Sequence, residues 1–100
     1  MVGFLNGVGS ISSIRAEMNS ALVDAYVALC QDNMGAYKSA IKYVNESFSL
    51  FDSARDRDII DVVNTERDIL HVLENTAPNL RVNKYLECRT EYALKHNTGF

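Results

Sequence analysis

The apolar positions of this chain recur at steps of three and four over four long segments, the period of an α-helix. Ile11, Ile14, Met18, Ala21 and Ala25 form one row, with Leu22, Tyr26 and Leu29 beside it and Val23, Val27 and Cys30 as a third. These rows predict a helix over residues 10–33, capped by Ser10 or Ser12. Its first half is one-sided. From Leu22 to Cys30 it is apolar nearly all round, with Asp24 the lone charge, so neighbours are expected to enclose it. Asp32-Asn33 stops the run, and Gly35 is the expected left-handed residue at the turn. Tyr37, Ile41, Val44, Phe48 and Phe51 then step by four, three, four and three, which predicts a second helix over 36–51.

Asp52 or Ser53 is the expected cap of a third helix over 54–74, opening on a solvated Arg55-Asp56-Arg57-Asp58. Its apolar positions are Ile59, Ile60, Val62, Val63, Ile69, Leu70, Val72 and Leu73, and Glu66 falls at a polar step within the stripe. Pro78 breaks the chain, because proline neither continues a helix nor favours one in the residue before it. A fourth helix follows over 79–95, with Leu80, Val82, Tyr85, Leu86, Tyr92, Ala93 and Leu94 apolar. No segment alternates with period two. Short loops favour antiparallel neighbours, so the expected fold is all-α, an up-down bundle of about four helices. Residues 10–96 read as one helical domain. Ahead of it, Met1 to Gly9 carries Gly3, Gly7 and Gly9 among Val2, Phe4, Leu5 and Val8, a flexible arm with apolar residues that need a surface. Residues 97–100 read as a frayed tail.

Composition adds little to this picture and removes several alternatives. The 100 residues are 47% hydrophobic and 23% charged, which argues for a packed core over disorder. A net charge of −3 with no basic stripe predicts no nucleic-acid partner. No apolar run approaches the ~20 residues that span a bilayer. The N-terminus lacks the basic start and long apolar run of a signal peptide. Cys30 and Cys88 lie far apart in helical patterns and read as separate thiols in a reducing, cytoplasmic setting. From Asp52 to Glu74 there are seven acids against three bases, while the fourth helix holds four bases and two acids, so these two helices are expected to pair along their edges.

Candidate chemistry is sparse. Asp68 and His71 stand one turn apart, a spacing found in carboxylate-bridged metal sites, but such sites need further carboxylates from facing helices. The cysteines have no neighbour at zinc spacing, and no phosphate-binding glycine loop or nucleophile elbow is present. No cofactor is expected. Tyr43 sits beside its helical stripe, next to Lys42, as an exposed contact residue.

The hairpin over residues 21–51 resembles the tetratricopeptide repeat, through Gly35, Tyr37, Ala40, Ile41, Tyr43, Phe48 and Leu50. It is also similar to the hairpin of the microtubule-interacting and trafficking domain, through Asp32, Gly35, Tyr37 and Ala40. No second copy is visible after residue 52, and a repeat array needs about three. Both resemblances imply binding in a groove between helices. The expected function is therefore a non-enzymatic interaction module, an adaptor or chaperone-like subunit that binds a partner helix or self-associates. Phe4, Leu5, Val23, Tyr26, Val27 and Tyr43 are the expected partner-binding residues. The alternative is a structural protomer of a symmetric homo-oligomer. A metal-binding or enzymatic bundle centred on His71 stands third.

Overall fold

The computed structural model describes residues 10–96, with side chains from 13 to 95. The expected arm 1–9, with Phe4 and Leu5, and the tail 97–100 lie outside the described residues. Four helices follow one another: α1 (Ser10–Cys30), α2 (Met34–Phe48), α3 (Arg57–Glu74) and α4 (Arg81–His96), with one 3₁₀ turn at Pro78–Leu80. Among the described residues there is no strand. The protein is an all-α bundle.

The core lies where α1, α2 and α3 meet. Met18, Ala25 and Leu29 of α1, Val44 of α2, and Val63, Leu70 and Leu73 of α3 are essentially fully buried. Burying a large apolar side chain of this kind contributes about 1.5–3 kcal/mol relative to leaving it in water. α1 packs most extensively on α2, where Ala21, Ala25 and Ala28 let the two backbones approach closely. Tyr37 of α2 donates its hydroxyl to Glu74 of α3 at 3.2 Å, and the Arg67 guanidinium sits 4.8 Å from the centre of the Phe48 ring.

The α1–α2 turn differs from the expected one. α1 ends at Cys30 rather than at residue 33, and the left-handed residue is Asp32, with φ 54°, not Gly35. The Asn33 N–H donates to the Ala28 carbonyl at 2.8 Å and the Asp32 N–H to that of Leu29 at 3.1 Å, the paired bonds of a Schellman ending. Aspartate tolerates this conformation better than most residues. Asn33 then caps α2 by accepting from the Ala36 N–H at 3.1 Å, so α2 starts at Met34 and Gly35 falls inside its first turn.

The second connection is also longer than expected. α2 stops at Phe48 rather than at Phe51, and α3 starts at Arg57 rather than at residue 54. Two aspartates cause the delay by taking backbone donors that a helix would use. Asp52 Oδ1 accepts from the N–H groups of Ala54 at 2.8 Å and Arg55 at 2.9 Å. The Asp56 carboxylate turns back to accept from the Asp52 N–H at 2.9 Å. Asp56 is not solvated: it is 3% exposed, held by Arg55 Nη2 at 2.9 Å, with Arg15 Nη2 3.7 Å away. These cations and N–H donors hold the carboxyls of Asp52 and Asp56 below the usual carboxylate range. Pro78 opens the 3₁₀ turn, so α4 begins at Arg81 and not at residue 79.

Candidate functional site

α4 packs the half-buried Tyr85 and Cys88 against the core and is anchored to the bundle by buried and half-buried polar groups. It contributes no fully buried apolar side chain; its buried residue is Arg81, 4% exposed. The Arg81 guanidinium spans the C-terminal ends of two helices. Nε donates to the carbonyls of Leu73 at 2.8 Å and Thr76 at 3.1 Å, and Nη1 donates to the Leu29 carbonyl at 3.0 Å and to Asp32 Oδ1 at 3.1 Å. Carbonyls at a helix end carry partial negative charge and lack intrahelical donors, so a buried cation there is stabilised from several directions. One side chain thus ties together α1, α3 and the start of α4.

Two turns further on, a second polar cluster fixes the same three helices. Tyr26 of α1 donates its hydroxyl to Glu66 Oε1 of α3 at 2.5 Å, and Arg89 of α4 forms a close ion pair with the same oxygen. Arg89 Nε donates to the Tyr85 hydroxyl at 3.1 Å, and the Tyr26 and Tyr85 rings meet edge to face at 5.0 Å. Burial and the adjacent Glu66 carboxylate push the Tyr26 hydroxyl pKa well above that of a free tyrosine. The pairing of acidic α3 with basic α4 is realised here, by Glu66 and Arg89.

These contacts leave an apolar face in solvent. Val23 and Val27 of α1 are 59% and 47% exposed, and Val82 and Leu86 of α4 are 57% and 55% exposed. The expectation that neighbours enclose the second half of α1 is therefore wrong on this side. α4 meets α1 through Arg81 at the Leu29 carbonyl, Tyr85 against the Tyr26 ring and Arg89 at the Tyr26 hydroxyl. Between the helices runs a groove of about 280 Å³, lined by Val23, Tyr26, Val27, Cys30, Leu73, Val82 and Tyr85. The structure brings three of the expected partner-binding residues, Val23, Tyr26 and Val27, to this groove. Tyr26 presents its ring there, while its hydroxyl belongs to the polar cluster.

Tyr43 lies elsewhere. It is 37% exposed and donates its hydroxyl to Glu17 Oε1 at 2.5 Å, at the rim of a shallow depression of about 850 Å³ between α1 and α2. That depression is floored by small residues such as Ala21, Ala28, Ser39 and Ala40.

His71 and Asp68 are exposed on α3, and among the described residues no group of three or more His, Cys, Asp or Glu side chains is placed to hold a metal ion. Cys30 is exposed and Cys88 half-buried, both as free thiols. No described helix is long and apolar enough to cross a membrane.

The periodicity did not single out Arg81, Arg89 or Asp56. The available signals were faint: an arginine following the Pro78 break, and Glu66 interrupting an apolar stripe. Compared with known proteins, the chain matches no family model, and no curated protein or solved structure shows significant similarity to it.

Proposed function

We propose that this protein is a non-enzymatic interaction module that seats an apolar helix of a partner protein on the face formed by α1 and α4. The observation that carries the reading is the composition of α4. α4 packs Tyr85 and Cys88 against the core beside Arg81 and Arg89, yet it leaves a second apolar row, Val82 and Leu86, in water. With Val23 and Val27 beside it, that stripe supports a helix-in-groove mode, in which the partner contributes apolar anchors at i, i+3, i+4 and i+7. Free thiols on separate helices agree with a reducing, cytoplasmic setting.

Light scattering on the wild-type chain and on Leu86→Glu, each with an amphipathic leucine-lysine peptide helix, tests the reading. The wild type forms a one-to-one complex and the variant does not. A peptide that binds both chains alike, or neither, overturns it.

A second reading has its own support. Val82 and Leu86, four residues apart, share one exposed side of α4, so two copies can bury the same residues across a two-fold axis. The chain is then a protomer of a homo-oligomer, and its mass rises with concentration in the wild type but not in Leu86→Glu.

A further inference from the structure

We infer that α4 opens separately from the rest of the bundle: beyond Arg81 it undocks and melts while α1, α2 and α3 stay folded. It thereby switches the α1–α4 face on and off, and this second part rests on the reading of that face as a binding surface. The apolar core comes from the other three helices. Its largest fully buried side chains, Met18, Leu29, Val44, Val63, Leu70 and Leu73, all belong to α1, α2 and α3. α4 adds the half-buried Tyr85 and Cys88 at the edge of that core. Apolar burial is the main favourable term in folding, so three helices keep most of it when α4 leaves. The two polar anchors of α4 are also unequal. Arg81 is 4% exposed and bonded to backbone carbonyls at the ends of α1 and α3. The side chains of Arg89 and Glu66 are 31% and 15% exposed, so water reaches that ion pair and solvates its groups once they part. Opening therefore pivots at Arg81 and breaks the anchor at Arg89.

Once undocked, α4 does not persist as a helix. It has 16 residues, a length at which an isolated helix is marginal in water. Val82, Asn83, Tyr85, Thr90 and Tyr92 are weak helix formers within it. Val82 and Leu86, 57% and 55% exposed, gain little from docking. An element with few buried apolar contacts opens below the free energy of global unfolding. The consequence falls on the groove. α4 supplies Val82 and Tyr85 to its wall, and Tyr26 serves both the groove and the anchor at Arg89. With α4 open, one wall is gone. A ligand that needs both walls binds the closed state alone and so slows the opening.

Amide hydrogen exchange of the full chain, read by NMR in native buffer and in urea below the unfolding transition, tests this. The amides of Leu86, Cys88 and Arg89 exchange at least about tenfold faster than those of Leu29, Val44 and Leu70. Their rates stay flat with urea while the core rates climb, because a local opening exposes little new surface. Val44→Ala lowers the stability of α1–α3 without touching α4, so it speeds the core amides and leaves those of α4 unchanged. Arg89→Gln weakens the second anchor and speeds the α4 amides several-fold. α4 amides as slow and as urea-sensitive as the core in the wild type overturn the inference. So does a Val44→Ala chain in which both sets speed alike, or an Arg89→Gln chain whose α4 amides do not speed. The amphipathic leucine-lysine peptide slows α4 exchange. If it shifts the methyls of Val23 and Val82 yet leaves that exchange unchanged, the switching falls and the face stands. If it moves no methyl while α4 still opens alone, the reading of the face falls and the opening stands.

Discussion

Replacing Arg81 by alanine removes the charged donor shared by two helix ends. The two shortest of its bonds, to the carbonyls of Leu73 at 2.8 Å and Leu29 at 3.0 Å, are buried. Neither carbonyl is orphaned by the change. The Thr76 N–H still donates to Leu73 and the Asp32 N–H to Leu29. What disappears is a charge-assisted bond on each remaining lone pair, about 1.5–3 kcal/mol apiece. Water entering the vacated space recovers part of that sum, so the expected loss is about 3 kcal/mol, a large share of the roughly 5–15 kcal/mol that holds a domain together. At about 4–8 °C per kcal/mol, the melting temperature drops by roughly 12–24 °C. Urea denaturation followed by circular dichroism measures the change from the midpoint at constant slope. Asp32 is the internal control. Its carboxylate is more than half exposed, so Asp32→Asn costs under about 1 kcal/mol although it meets the same guanidinium. An Arg81→Ala chain within about 1 kcal/mol of wild type, or an equal loss in Asp32→Asn, would refute the reasoning.

Four further outcomes follow from the same geometry. Leu70→Ala, at a fully buried site, costs about 2–5 kcal/mol in urea denaturation, whereas Val72→Ala, 40% exposed, stays within about 0.5 kcal/mol. Tyr26→Phe removes the hydroxyl bond to Glu66 and costs about 1.5–3 kcal/mol, and the change in midpoint checks it. The carboxyls of Asp52, Asp56 and Asp58 titrate below their unfolded value of about 3.9. Their contribution is complete above that pH and is lost as pH falls through the lower folded values. Arg15→Ala and Arg55→Ala therefore flatten the acid limb of the stability–pH curve. Burial and the Glu74 carboxylate push the Tyr37 hydroxyl up to about 12, so its contribution is complete below the unfolded value near ~10 and is lost as pH rises through about 12. Tyr37→Phe removes that alkaline loss, and tyrosinate absorbance at alkaline pH follows it.

Helix number and type were legible in the sequence because the steps of three and four continue through Met18, Val44 and Leu70, which all reach the core. The boundaries were not. They depend on which backbone donors Asp52, Asp56 and Asn33 capture, and a hydrophobic pattern carries no information about that competition. The left-handed residue was misplaced for a related reason. Gly35 has the lower intrinsic cost, but the hydrogen bonds of the turn select Asp32, whose carboxylate also meets Arg81. The exposed side of α1 was hidden because an apolar run cannot tell a helix covered by its own chain from one awaiting another. Only the position of α4, set by Arg81, Tyr85 and Arg89, shows that Val23 and Val27 face open space. The sequence places Val23, Tyr26 and Val27 in the apolar rows of α1, but that they line one groove with Val82 and Tyr85 follows only from the fold.

The central claim is that the α1–α4 face binds an apolar helix, and titrating the amphipathic leucine-lysine peptide into the full chain under methyl NMR tests it most directly. The account predicts saturable shifts at Val23, Val27, Val82 and Leu86, with Val62 and Val72 unmoved and the effect lost in Leu86→Glu. Shifts that fall on Val62 and Val72, or a titration that moves no methyl on α1 or α4, would contradict it.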